Sequence, residues 1–217
     1  MNSKTIIVRS CLTVLALGLV IAGSIAIADA PASKDAKAPE LKLPPGWTEA
    51  DMQACMIAAT PGKQHELLAK SAGEWQGTCK MWMPPGDGEP MKSTVTSTAT
   101  PVLEGRFLKV EVKGEMPGMG PYNGHGLYGF DNVAQTYVST WIDNHVTGIM
   151  YGKGELSSDG KTLTWKYNYN CPVTKKPAVI REVETITGPN TKTLESFGAD
   201  PKSGKEFQMM RIELTRK

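Results

Sequence analysis

From Gly73 to Lys217 the sequence alternates strand-like runs with breaks, and the breaks themselves alternate long and short. The long breaks are Pro84–Pro90, Glu115–Pro121, Asp143–Val146, Asn170–Pro177 and Ala199–Lys205. The tight ones are Leu103–Gly105, Asp131–Ala134, Ser157–Lys161 and Gly188–Asn190. In an up-and-down meander, successive turns fall at opposite ends of the sheet. The alternation therefore predicts one end closed by tight turns and the other ringed by longer loops. That is the outline of a small barrel with a mouth, where such barrels hold ligands.

The runs themselves have a period of two. Arg106–Gly114 sets Leu108, Val110 and Val112 against Lys109, Glu111 and Lys113, and Thr162–Tyr169 sets Leu163, Trp165, Tyr167 and Tyr169 against Thr164, Lys166 and Asn168. The other expected strands are Glu74–Met83, Lys92–Val102, Tyr122–Phe130, Gln135–Ile142, Thr147–Leu156, Ala178–Thr187, Thr191–Phe197 and Glu206–Thr215. Ten antiparallel strands either close or stack as two sheets. Closure removes the edges, so the expected fold is all-β, an antiparallel up-and-down barrel of about ten strands over residues 73–217.

One or two short helices are expected before the barrel, within residues 47–72. Thr48 is placed to cap the first, with Asp51 at its third position and Met52, Cys55, Met56 and Ala59 on one face. Thr60 with Pro61 reads as the cap and first position of the second, which would end at Gly73. Residues 29–46, rich in Ala, Pro and Lys, read as a flexible linker. Residues 1–28 read as a secretory signal peptide. Lys4 and Arg9 precede the apolar run Cys11–Ile27, and Ala26-Ile27-Ala28 supplies a small-x-small site. The expected location is periplasmic or extracellular, with no membrane span after cleavage.

The 24 Lys and Arg against 22 Asp and Glu become equal once the two basic residues of the leader are removed, which argues against nucleic acid as a partner. Three cysteines then remain: Cys55, Cys79 and Cys171. Cys171 lies at the expected mouth, so any disulfide would join it to Cys55 on a helix folded over that end. Cys79 would be buried and free.

Several motifs occur in order: Leu68-Ala69-Lys70-Ser71-Ala72-Gly73-Glu74-Trp75, Lys80-Met81-Trp82-Met83, Gly105-Arg106-Phe107-Leu108, Gly129-Phe130-Asp131-Asn132, Thr140-Trp141-Ile142-Asp143-Asn144 and Lys205-Glu206-Phe207. Together they resemble the bacterial family called domain of unknown function 1579, over roughly residues 60–217. The resemblance implies a calycin-like barrel and no established activity. Gly73-Glu74-Trp75 also resembles the Gly-x-Trp opening of lipocalins. In those barrels the Trp closes the bottom and an Arg from the last strand stacks over it, which makes Arg211 and Arg216 the candidates here.

A ten-strand barrel encloses more volume than its side chains fill. The candidate ligand-binding residues are therefore the aromatics expected to face inward, Trp141, Trp165, Tyr167 and Tyr169, with His125 and His145 at the mouth. Met83, Met91, Met116, Met119 and Cys171 fall at the same end, where thioether, imidazole and thiol together would suit copper(I). Methionine is also an adaptable gap-filler, and no cofactor or metal is expected. No histidine follows His145, against a haem site on a late strand as in nitrobindin-like barrels. His65, on the second helix, reads as a solvated or packing residue. Glu111, Glu155, Glu182 and Glu184 read as exposed rungs, and no nucleophile elbow is present. The sequence thus points to an exported, non-catalytic barrel that binds a small apolar or amphipathic molecule. The alternative is a structural or interaction domain of the cell envelope, with a hydrolase or isomerase inside the cavity as a third class. Nothing in the sequence fixes the oligomeric state.

Overall fold

The computed structural model describes residues 43–217. The expected leader, and the expected linker up to residue 42, lie outside them. The chain divides between Pro44 and Pro45, and every element below belongs to the unit Pro45–Lys217.

Ten strands form one closed antiparallel barrel in which each pairs with its neighbours in sequence and the last pairs with the first. They are β1 (Gly73–Met81), β2 (Met91–Val102), β3 (Phe107–Met116), β4 (Gly120–Asp131), β5 (Thr136–Asp143), β6 (Met150–Leu156), β7 (Thr162–Asn170), β8 (Pro177–Gly188), β9 (Thr191–Ala199) and β10 (Glu206–Arg216). β1 and β10 close the ring in register from Trp75 opposite Arg216 to Met81 opposite Met210. The period of two places side chains alternately inside and out. In β2, Val95, Ser97 and Ala99 are buried while Thr94, Thr96 and Thr98 are exposed.

One boundary differs notably from the sequence-based expectation. β6 begins at Met150 rather than near Thr147, because side chains capture the preceding loop. Asp143 Oδ1 accepts from the His145 backbone N–H at 2.8 Å. The Asn144 amide accepts from Asn123 N–H and donates to Pro121 O, both at 2.8 Å, which pins the loop to β4.

Two helices precede the barrel, α1 (Glu49–Ala59) and α2 (Lys63–Ala69). Thr48 caps α1, and Thr48 and Asp51 satisfy each other's backbone in a capping box, as expected. The second cap does not fall at Thr60. Thr60 ends α1, its hydroxyl donating to Met56 O at 2.7 Å, and Gly62 starts α2. The shared face expected for Met52, Cys55, Met56 and Ala59 is not a packing face either, since no residue of α1 is buried. Polar ties hold α1 instead. Asn132 in the β4–β5 turn donates to Ala58 O and Thr60 O at 3.0 and 2.8 Å, and Arg106 Nε in the β2–β3 turn donates to Ala59 O at 3.2 Å.

These ties place the helices at the tight-turn end. There α2 inserts Leu68, with Leu67, against Ala99, Leu108, Tyr137 and Leu163 and so plugs the barrel. Cys171 sits at the opposite, long-loop end. The Cys55–Cys171 pairing is therefore corrected: the helix bearing Cys55 covers the far end of the barrel, and all three cysteines among the described residues are free, Cys79 buried as expected. His65 is a packing residue; it is buried, its Nδ1 accepts from Gly62 N–H at 3.0 Å, and its ring meets Phe130 edge-on.

Trp75 closes the bottom. It is 4% exposed, and its indole N–H donates to Ser71 O at 3.0 Å. The guanidinium above it belongs to Arg216, 4.2 Å from the ring centroid, with Lys192 Nζ at 4.7 Å. Arg216 also donates to Ala72 O and, at 2.9 Å, to Lys70 O. The last strand, the first strand and the end of α2 thus meet at one cation. Arg211 faces outward, paired with Glu195 at 2.9 Å and Glu213 at 3.1 Å.

Candidate functional site

The two halves of the barrel interior differ. One half, from β4 to β7, carries a packed aromatic wall. Trp165 on β7 is fully buried among Tyr128, Tyr137 and Tyr167, with ring centroids at 5.3, 6.4 and 6.1 Å. Glycines on the neighbouring strands make the room. A Cβ on Gly154 would lie 2.8 Å from Trp165 Cε3 and Cζ3, and one on Gly152 would lie 2.6 Å from Tyr167 Cε1. Trp141 spans two more: a Cβ on Gly124 would meet its Cε2 at 3.0 Å and one on Gly126 its Cε3 at 2.8 Å. The indole therefore lies flat along the wall, with its other face toward the barrel axis.

Hydroxyls and an indole N–H link the wall. Ser139 Oγ donates to Tyr167 Oη at 3.0 Å, and Tyr167 Oη donates to Tyr128 Oη at 3.4 Å. Nearer the mouth, Trp141 Nε1 donates to Tyr122 Oη at 3.0 Å. The Tyr122 hydroxyl faces Asp143 Oδ2 at 3.5 Å, and the His145 ring stacks on Tyr122 at 5.8 Å and 9°. Burial pushes the Tyr122, Tyr128 and Tyr167 hydroxyls far up, so all three remain protonated donors. Among the described residues three buried polar side-chain atoms have no protein partner: Trp165 Nε1, Tyr137 Oη and His145 Nε2.

The other half is charged as well as apolar. Register partners share a face, so Glu182 opposite Trp165, Glu184 opposite Leu163, and Ser196 and Lys192 on β9 all point inward. Glu184 pairs with Lys192 at 2.8 Å, yet their side chains remain 21% and 14% exposed. Glu182, Leu194 on β9 and Met210 on β10 also face inward and are only half-buried, so this side of the interior is not filled by protein. Glu182 accepts from Ser196 Oγ at 3.1 Å. Burial, with the negative charge of Glu184 adding and Ser196 and Lys192 opposing, pushes its carboxyl up to about 7.

The sequence-expected residues separate as follows. Trp141, Trp165, Tyr167 and Tyr169 all lie on the inner face of β5 or β7, Trp165 and Tyr167 buried and the other two half-buried. His145 is at the mouth, half-buried on Tyr122. His125 does not join them. It projects from the outer face of β4 toward Glu111 on β3, 3.5 Å away, because Gly124 and Gly126 on either side take the inward positions. Met83 and Met119 are 66% and 62% exposed, and no metal-holding group of three His, Cys, Asp or Glu occurs among the described residues.

Glu182 and Glu184 are the main correction, being interior groups rather than exposed rungs. β8 offers two faces of similar polarity, Val179-Arg181-Val183-Thr185 and Ile180-Glu182-Glu184-Ile186, and hydropathy alone does not choose between them. The signal that could have chosen is pairing: a carboxylate opposite Trp165 follows once β7 and β8 are set in register.

A closed ten-stranded meander plugged at one end by a helix, with one side of its interior not filled by protein, is a calycin-like barrel. The chain belongs to the family described as Protein of unknown function (DUF1579), whose model matches residues 60–216. Among solved structures, an S-type phycobiliprotein lyase, CPES, from Guillardia theta aligns with a TM-score of 0.52 at 11% identity, covering 71% of this chain and 92% of that one. Rv2717c from M. tuberculosis aligns with a TM-score of 0.53 at 14% identity, covering 73% and 99%. At such identities the likeness is one of fold. No curated protein matches the sequence. Among the described residues no helix is long and apolar enough to cross a membrane.

Proposed function

We propose that this protein is an exported, non-catalytic barrel that binds one small amphipathic molecule, taken in at the long-loop end. The observation that carries the reading is the half-buried inner side formed by Glu182, Leu194 and Met210, facing a wall of flat aromatic rings. Apolar and aromatic walls with a few polar groups are what small-molecule sites share. The plugged end, with Trp75, Arg216 and α2, leaves the long-loop end as the entrance. The basic and apolar leader supports export. Catalysis is the weaker reading: Glu184 is held by Lys192, and Glu182 accepts from the Ser196 hydroxyl with no further acid or base in that hydrogen-bonded pair.

The test is intrinsic fluorescence during titration with a hydrophobic probe such as 1-anilinonaphthalene-8-sulfonate or octanol. Binding at micromolar protein is expected. Trp141→Leu should reduce the response severalfold, while Trp47→Leu, outside the strands, should leave it intact. No binding, or equal effects of both changes, would favour a structural barrel of the envelope.

A further inference from the structure

The interior holds a carboxyl group that the protein itself does not neutralise. Among its inward neighbours, Lys192 is committed to Glu184 at 2.8 Å, and Arg216 lies at the bottom on Trp75 and the carbonyls that follow α2. Glu182 keeps one hydrogen bond, from Ser196. Its negative charge helps to raise the hydroxyls of Tyr122 and Tyr128 on β4, across the barrel, and of Tyr167 on the neighbouring β7. The groups facing it are therefore Glu184, Lys192 and Ser196 on β8 and β9, and aromatic rings on β4 and β7.

A second observation marks the same place as incomplete. Trp165, the register partner of Glu182, is fully buried, and its Nε1–H has no acceptor. Its Cε3 and Cζ3 atoms lie over Gly154 on β6. Buried polar groups are ordinarily hydrogen-bonded, and this one is left without a partner at the register position of Glu182. Aromatic faces with a buried carboxylate form the setting that recognises an organic cation, by cation–π attraction and charge pairing together.

Building on the binding role proposed above, we infer that the barrel's ligand carries a positively charged nitrogen head, held at Glu182 against the rings of Tyr122, Tyr128 and Trp141. The apolar remainder would lie along Val112, Leu194 and Met210. Because Glu182 titrates near neutrality, uptake of such a cation should strengthen as the pH rises.

The experiment compares three probes of equal chain length by calorimetry on the full mature chain: octyltrimethylammonium, octanol and octanoate. The first keeps its charge at every pH. At pH 8 it should bind about tenfold more tightly than either of the others, and this advantage should shrink about tenfold at pH 5.5, while octanol binding stays flat. Glu182→Gln should abolish the advantage, whereas Glu111→Gln, on the outer face, should change nothing. If Glu182→Gln does not fold, the pH series on the natural protein still decides. Equal binding of all three probes, or a preference for octanoate, would overturn the cation inference and leave the binding role standing. Binding of none would overturn both.

Discussion

At the scale of single residues, two side chains carry the largest consequences. Trp75 has its indole N–H, one face and its packing all engaged at the plugged end, so Trp75→Ala should cost about 3–5 kcal/mol in urea unfolding, in the range of other buried large-to-small changes. A loss under about 0.5 kcal/mol would place the ring at the surface and contradict the register of β1. Glu182 makes stability depend on pH with a definite sign. Its carboxyl holds a proton in the folded state up to about pH 7, above the ordinary carboxylate range. The contribution is fully present below the unfolded value and is lost as pH rises through about 7. Relative to Glu182→Gln, the natural protein should lose at most about 3 kcal/mol between pH 4.5 and pH 8. Parallel stability curves for the two proteins would show that Glu182 titrates normally.

Elements add what no single residue shows. The β2–β3 turn runs through Leu103 and Glu104 with φ of 51° and 57°, a left-handed pair that favours Asn-Gly. Leu103 is 69% exposed, so no packing is lost on replacing it. Leu103→Asn with Glu104→Gly should raise stability by about 1–2 kcal/mol, read as a higher melting temperature. An unchanged value would mean that the turn stores no strain. In β6 the glycines act in the opposite way. Gly154→Ala drives a methyl into Trp165 and Tyr137 and should cost about 1–3 kcal/mol, whereas Gly148→Ala, with open space around it, should be neutral by the same assay. Equal effects of the two would mean that the aromatic wall is loose enough to yield.

Across the whole molecule, the end to which the helices go decides the cysteine chemistry. α1 is tied to the tight turns and Cys171 lies among the long loops, so no bridge between Cys55 and Cys171 can form without breaking those ties. Peptide mapping without reduction should find all three thiols free within the monomer. Native alkylation should modify half-exposed Cys55 several times faster than buried Cys79. A Cys55–Cys171 peptide would show that α1 sits over the mouth after all.

Much of this was legible in one dimension. Strand number and order followed from period two and from the alternation of loop lengths, both local properties of the chain. The bottom of the barrel followed from Gly73-Glu74-Trp75, with Arg216 one of two candidates, and four of the six expected site residues lie on the inner face because β5 and β7 alternate cleanly. Tertiary structure decided what depends on contacts far apart in sequence. Asn132 and Arg106 chose the end of the barrel that α1 covers. Trp141 of β5, seated over Gly124 and Gly126, left His125 the outward position. Pairing with β7 put Glu182 and Glu184 inside, since β8 has two faces of like polarity and only its neighbours break the tie. The fold could be read because its signals repeat along the chain; the character of its interior could not, because a carboxylate's burial is a property of what lies across the barrel from it.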